Sequence, residues 1–169
     1  ESMVEYMQAG ESKLENGLLR IGYGDWWDPV AKPGMTRKRC NPEYTSPIIT
    51  SSALFAHGAD LMSKIATLLD KNEDAAYYAA LFKSVGEQFN KEFYDAETGH
   101  YGSQTADAMA IQFGITPVEL RQSVADALED PAVLPGTLSE IAEALQTDFD
   151  VRTYSFGTNL AYKIGSYTN

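Results

Sequence analysis

The sequence predicts an all-α domain on three observations. Two long runs with helical apolar spacing are joined by a very short connector, capping signatures stand ahead of further apolar runs, and no strand alternation interrupts them. Such helical hairpins leave bundles, solenoids and helical barrels as architectures, and the chain has no fixed-period repeat of the familiar solenoid kinds.

The elements follow in chain order. ESMVEYMQAG reads as the tail of a helix with Gly10 at its stop, as expected of a chain cut from something longer. From Gly10 to Thr45 the repeated glycines and prolines predict a long loop, and loops of that length in compact domains usually carry function. Ser46 and Pro47 then mark a helix start, with Ser46 as cap and Pro47 where its missing N–H costs nothing. Leu54, Gly58, Leu61, Met62, Ile65, Leu68 and Leu69 fall on one face of that helix and predict its buried stripe. Asn72 is placed to cap a second helix, whose stripe is Tyr77, Leu81, Val85, Phe89 and Phe93. The connector from Asp70 to Asn72 forces the two helices antiparallel.

Asp95, Gly99 and Gly102 predict a turn before a short alanine-rich helix from about Gln104 to Phe113, ended by Gly114. Two threonine capping boxes, Thr116 with Glu119 and Thr137 with Glu140, predict helices near 117–129 and 138–146. Leu160, Ala161 and Ile164 offer one further helical face. The 169 residues fit a single domain over 1–169, and 44% hydrophobic residues supply a core.

Composition excludes several functions. Thirteen Lys and Arg against 24 Asp and Glu give a net charge of -11, which repels nucleic acid and anionic lipid surfaces, so neither is an expected partner. Cys40 is the sole cysteine, so no intrachain disulfide forms, no Cys/His cluster offers a zinc site, and no metal or cofactor is expected. No apolar run approaches the roughly 20 residues that span a bilayer. A cytoplasmic and a periplasmic location both fit.

Chemistry concentrates in Gly22-Tyr23-Gly24-Asp25-Trp26-Trp27-Asp28-Pro29, which sets both tryptophans beside two carboxylates in a glycine-broken loop. A pyranose stacks its C–H face on an aromatic ring and hydrogen-bonds its hydroxyls to a carboxylate. The same residues also read as packing, with Trp26 and Trp27 plugging a gap and Asp25 and Asp28 capping backbone N–H groups. His100-Tyr101-Gly102-Ser103-Gln104-Thr105 reads either as a rim that binds substrate or, the reading favoured here, as a helix start capped by Ser103. His57, in mid-helix, reads as a satisfied structural histidine.

GDW, LMSKIA, EDAAYY, FNKEFYD and TGHYGSQTADAMAI, in that order and spacing over about residues 22 to 115, resemble the middle of the catalytic domain of bacterial α-L-rhamnosidases. The resemblance implies helical hairpins forming part of an (α/α)6 barrel, or toroid, and inverting hydrolysis of terminal α-L-rhamnosides in glycosides or polysaccharides. It also implies a carbohydrate substrate contacted by Asp25, Trp26 and Trp27. The family's general acid lies in an acidic, arginine-containing motif upstream of GDW and its general base is a glutamate well downstream; neither is matched, so the catalytic residues are unassigned and the chain alone is not expected to hydrolyse rhamnosides. Two other readings stay open: a trehalase-like or debranching glucosidase on the same barrel, and a non-catalytic helical binding module. An incomplete barrel would leave apolar helix faces exposed, so self-association is expected.

Overall fold

The computed structural model describes residues 2–22, 24 and 45–129. Among these, α1 (Ser2–Glu11) leads into a short hairpin of β1 (Leu14–Glu15) and β2 (Leu18–Leu19). α2 (Pro47–Leu68), α3 (Asn72–Phe93) and α4 (Gln104–Gln112) follow, then a 3-10 turn (Val118–Leu120) that runs into α5 (Arg121–Glu129). The expected helices at 138–146 and around 160–164 lie outside the described residues.

α2 and α3 form the antiparallel hairpin that the connector requires, with Ser63 of α2 donating to the Ala75 carbonyl near the start of α3 at 2.9 Å. α2 closes in a Schellman motif: the Lys71 N–H reaches the Ala66 carbonyl, the Asp70 N–H reaches Thr67, and Asp70 takes the left-handed conformation at φ 56°. α4 closes the same way through Gly114, as expected, with the Ile115 N–H on Ala110 and the Gly114 N–H on Ile111. Ser46 does precede α2, but its hydroxyl makes no cap bond, and the cap position of α3 is Lys71 rather than Asn72.

The buried face of α2 differs from the expected one. Ile49, Ser52, Ala53, Phe55, Ala56, Ala59, Met62 and Ala66 are buried, whereas Leu54, Leu61, Ile65, Leu68 and Leu69 are exposed, Leu68 to 84%. Small side chains let neighbouring helices approach closely, so the alanine-rich face takes the contacts while the leucines point away. A helix apolar on both faces suits packing between layers on either side. In α3, Val85 and Phe89 are buried as expected and Leu81 and Phe93 pack on the core, but Tyr78 replaces Tyr77 at its start.

Two expectations at the N-terminal end are corrected. Gly10 does not stop α1; it lies inside the helix, where a Cβ would sit 2.6 Å from the Phe55 ring, and a Cβ at Gly58 on α2 would sit 3.2 Å from Met7 Sδ. The segment after α1 contains a hairpin as well as loop. Asn16 (φ 52°) and Gly17 (φ 78°) make the left-handed two-residue turn whose twist matches paired strands, and Leu14 pairs with Leu19. Leu18 is fully buried, so this hairpin is a lid on the helical core rather than a free arm.

Candidate functional site

Polar side chains gather at one end of the helical pair, where α2 begins, α3 ends and α4 begins. The Leu19 N–H donates to Ser52 Oγ at 2.9 Å, and Ser51 donates to the Ile21 carbonyl. Gly22, at φ 124°, lies so close that a Cβ there would run into Ser51 Oγ. On the far side of residues 25–44, Thr45 Oγ1 lies 2.7 Å from Ser103 Oγ. The two flanks of that segment are therefore fastened to the same end of the fold, one to α2 and one to the start of α4. Arg20 adds a two-oxygen ion pair to Glu92 in the last turn of α3, at 2.8 and 2.9 Å.

Beneath this end runs a buried hydrogen-bond network. The Tyr101 hydroxyl donates to Asn90 Oδ1 at 2.5 Å and lies 3.3 Å from Thr116 Oγ1, while Asn90 Nδ2 donates to the Ile115 carbonyl at 2.9 Å. The Tyr101 N–H donates to Asp107 Oδ1 at 2.6 Å, and Asp107 is fully buried. Its second oxygen, Oδ2, has no hydrogen-bond partner among the described residues. Burial pushes the Asp107 carboxyl up to about 6, against the lowering effects of the Tyr101 N–H and of nearby His100. Burial likewise pushes the Tyr101 phenol up to about 12. The Gly102 N–H donates to His100 Nδ1 at 2.7 Å.

The turn ahead of α4 is tied down by Asp95. Its Oδ1 accepts from the Glu97 N–H at 2.8 Å and from Thr98, bonds that hold its carboxyl below the ordinary carboxylate range, and its carbonyl accepts from Gly99. Ser103 caps α4, accepting from the Ala106 N–H at 3.2 Å, which is the capping reading of the HYGSQT segment. The Thr116 capping box does not form. Thr116 is buried with its hydroxyl turned to Tyr101, and its carbonyl takes Arg121 Nε at 3.3 Å as α5 begins. His57 stacks on Phe113 with ring centroids 4.3 Å apart, and its buried Nδ1 finds no hydrogen-bond partner among the described residues, unlike the satisfied histidine expected.

Asp25, Trp26 and Trp27 lie outside the described residues, as do Asp28 and Cys40. Asn90, Thr45 and Asp107 escaped the reading of the sequence. A carboxylate in the first turn of a helix reads as a partner of the helix dipole, and only its neighbours Ala106 and Ala110, both buried, mark the Asp107 face as inward. Among the described residues no group of three or more His, Cys, Asp and Glu gathers where an ion would bind, and no helix is long and apolar enough to cross a membrane.

Residues 1–133 match the family model described as the bacterial alpha-L-rhamnosidase 6 hairpin glycosidase domain. An alpha-L-rhamnosidase of Formosa agariphila is 32% identical over 126 residues, which are 69% of this chain and 12% of that protein. A second from the same organism is 30% identical over 146 residues, 84% of this chain and 14% of that protein. Among solved structures, the alpha-L-rhamnosidase of Dictyoglumus thermophilum superposes with a TM-score of 0.67 at 23% identity, over 86% of this chain and 17% of that one. The Streptomyces avermitilis enzyme, solved in complex with L-rhamnose, gives 0.57 at 23% identity over 86% of this chain and 12% of that one. The fold is thus all-α, a set of helical hairpins from an α/α barrel, and the chain spans a small part of the length of each of these proteins.

Proposed function

Because the chain belongs to the bacterial α-L-rhamnosidase six-hairpin glycosidase family, we propose that its residues 1–169 serve as one domain's share of a glycoside hydrolase that releases terminal α-L-rhamnose, with Asp25, Trp26 and Trp27 contacting the sugar. The match of the family model over 133 residues carries this reading. The hydroxyl bonds at Leu19 and Thr45 are consistent with it, since they fasten the described residues on either side of residues 25–44 to one end of the fold. A carboxylate beside stacked aromatics orients a pyranose and stabilises positive charge developing at its anomeric carbon. Inversion further needs two carboxyl groups roughly 6.5 to 9.5 Å apart, and neither is assigned to this chain.

The test separates rhamnose from glucose recognition. Titrated calorimetrically into the chain, L-rhamnose is expected to bind saturably with a Kd near ~1 mM, worth about 4 kcal/mol, and D-glucose at least about tenfold more weakly. Equal affinities would favour a glucosidase of the same barrel type.

The exposed stripe of Leu54, Leu61, Ile65, Leu68 and Leu69 supports a second element of the proposal, self-association of the chain through that face. Light scattering is expected to give a mass above that of one chain, returning to a single-chain mass when Leu61→Glu and Ile65→Glu are combined. A single-chain mass for the unaltered protein would overturn it.

A further inference from the structure

The turn between β1 and β2 brings together an amide and the nitrogen that can attack it. Asn16 is exposed at the tip of the hairpin, and the next residue is glycine, which crowds its own main-chain nitrogen least. Of the six asparagines in the sequence only Asn16 precedes a glycine. Asn41 precedes Pro42, which has no N–H, and Asn72, Asn90 and Asn159 precede Glu73, Lys91 and Leu160. Asn90 is further held at both ends of its amide, between the Tyr101 hydroxyl and the Ile115 carbonyl. The hairpin that Asn16 and Gly17 close is a lid: Leu18 is fully buried, the Leu19 N–H donates to Ser52 Oγ at 2.9 Å, and β2 lies against both α2 and α3.

We propose that Asn16 is a site of spontaneous deamidation and that isoaspartate formed there unseats the hairpin lid. Hydroxide removes the Gly17 amide proton, and the Gly17 nitrogen attacks Asn16 Cγ. The new C–N bond closes a cyclic succinimide as the Cγ–Nδ2 bond breaks, and ammonia leaves with a proton taken from water. Water then opens the ring: attack at Cγ gives aspartate, and attack at the main-chain carbonyl carbon gives isoaspartate, with the backbone rerouted through Cγ. Nothing is oxidised or reduced. In the closed turn Asn16 and Gly17 keep φ values of 52° and 78°, so the attack proceeds when the hairpin opens. Pairing of Leu14 with Leu19 and Glu15 with Leu18 is all that closes it along the strands, and so short a ladder is weak on its own. The rerouted backbone is longer by one methylene, which a left-handed two-residue turn cannot absorb without losing the register that seats Leu18.

The test ages the unaltered chain beside Asn16→Gly in mildly alkaline buffer, with freshly prepared Asn16→Asp as the reference for charge. Glycine and aspartate both suit the first position of this turn, so both variants keep the lid. Asn16→Gly lacks the amide, and Asn16→Asp carries the new charge without the added methylene. The unaltered chain is expected to exchange an amide for an acid, read as a mass gain, in the peptide spanning residues 14–19 before any other asparagine changes, and faster as pH rises. It should also become a methyl acceptor for a protein isoaspartate methyltransferase, whereas aged Asn16→Gly should not. The deamidated fraction, separated by ion exchange, should unfold at a lower urea midpoint than freshly prepared Asn16→Asp, which has the same charge. An unchanged Asn16 after ageing, or deamidation appearing first at another asparagine, would overturn the site. A deamidated, methyl-accepting fraction whose midpoint equals that of Asn16→Asp would overturn the effect on the lid.

Discussion

Phe89→Ala is expected to lower the stability of the chain by about 3 to 5 kcal/mol, the range for deleting a fully buried aromatic ring. Phe89 has no exposed surface and meets Phe93 edge-on at 4.9 Å and Tyr101 at 5.6 Å. The ring joins the last turns of α3 to the segment that precedes α4, so its loss opens a cavity where Tyr101 is held. Tyr101 would then hold Asn90 less firmly, and through Asn90 the Ile115 carbonyl. A domain of this size is stable by only about 5 to 15 kcal/mol, so the loss is a large share of the whole. Urea unfolding should show a lower midpoint with an unchanged slope. A loss below about 1 kcal/mol would mean that this packing is not the centre of the core.

The second large effect is a pH dependence traced to Asp107. Burial raises its carboxyl from 3.8 to about 6, so the folded chain holds a proton there that the unfolded chain releases near pH 4. Stability from this group is fully present below pH 4, falls as pH rises through 4 to 6, and levels off above 6. Two pKa units correspond to about 3 kcal/mol across that window. Asp107→Asn keeps an acceptor for the Tyr101 N–H and cannot ionise. The stability difference between the unaltered chain and Asp107→Asn should therefore change by about 3 kcal/mol between pH 4 and pH 7. Parallel profiles across that range would show that Asp107 does not titrate in the window. Among the described residues no second donor meets Oδ2, so only the Tyr101 N–H offsets the burial of the ionised form there.

Local signals in the sequence located most helices, and longer-range packing decided what it left open. The connector at Asp70, the Gly114 stop and the Ser103 cap are set by neighbours within a few residues, and each stands where the sequence placed it. The Asn16-Gly17 turn was equally local and went unread amid the glycines that mark a loop. The faces of α2 were ambiguous for a physical reason. Its leucines and its alanines both lie at helical spacing, and spacing favours the bulkier set, whereas close approach of neighbouring helices favours the smaller. Thr116 had two calls on one hydroxyl, and a tyrosine distant in sequence took it in place of the capping box. The buried network of Asn90, Tyr101, Thr116 and Asp107 joins three separate stretches of chain, which no local pattern reveals. Of the proposed site, the sequence singled out the tryptophan and carboxylate segment, which lies outside the described residues, and the structure adds the hydroxyls that fasten the residues on its two flanks.

Calorimetric titration of L-rhamnose into the unaltered chain and into Asp25→Ala, side by side, tests the central claim most directly. The account predicts saturable binding to the unaltered chain and a loss of at least about tenfold in affinity in the variant, the cost of removing a charged acceptor from a bound hydroxyl. Equal binding to both, or none to either, would contradict it.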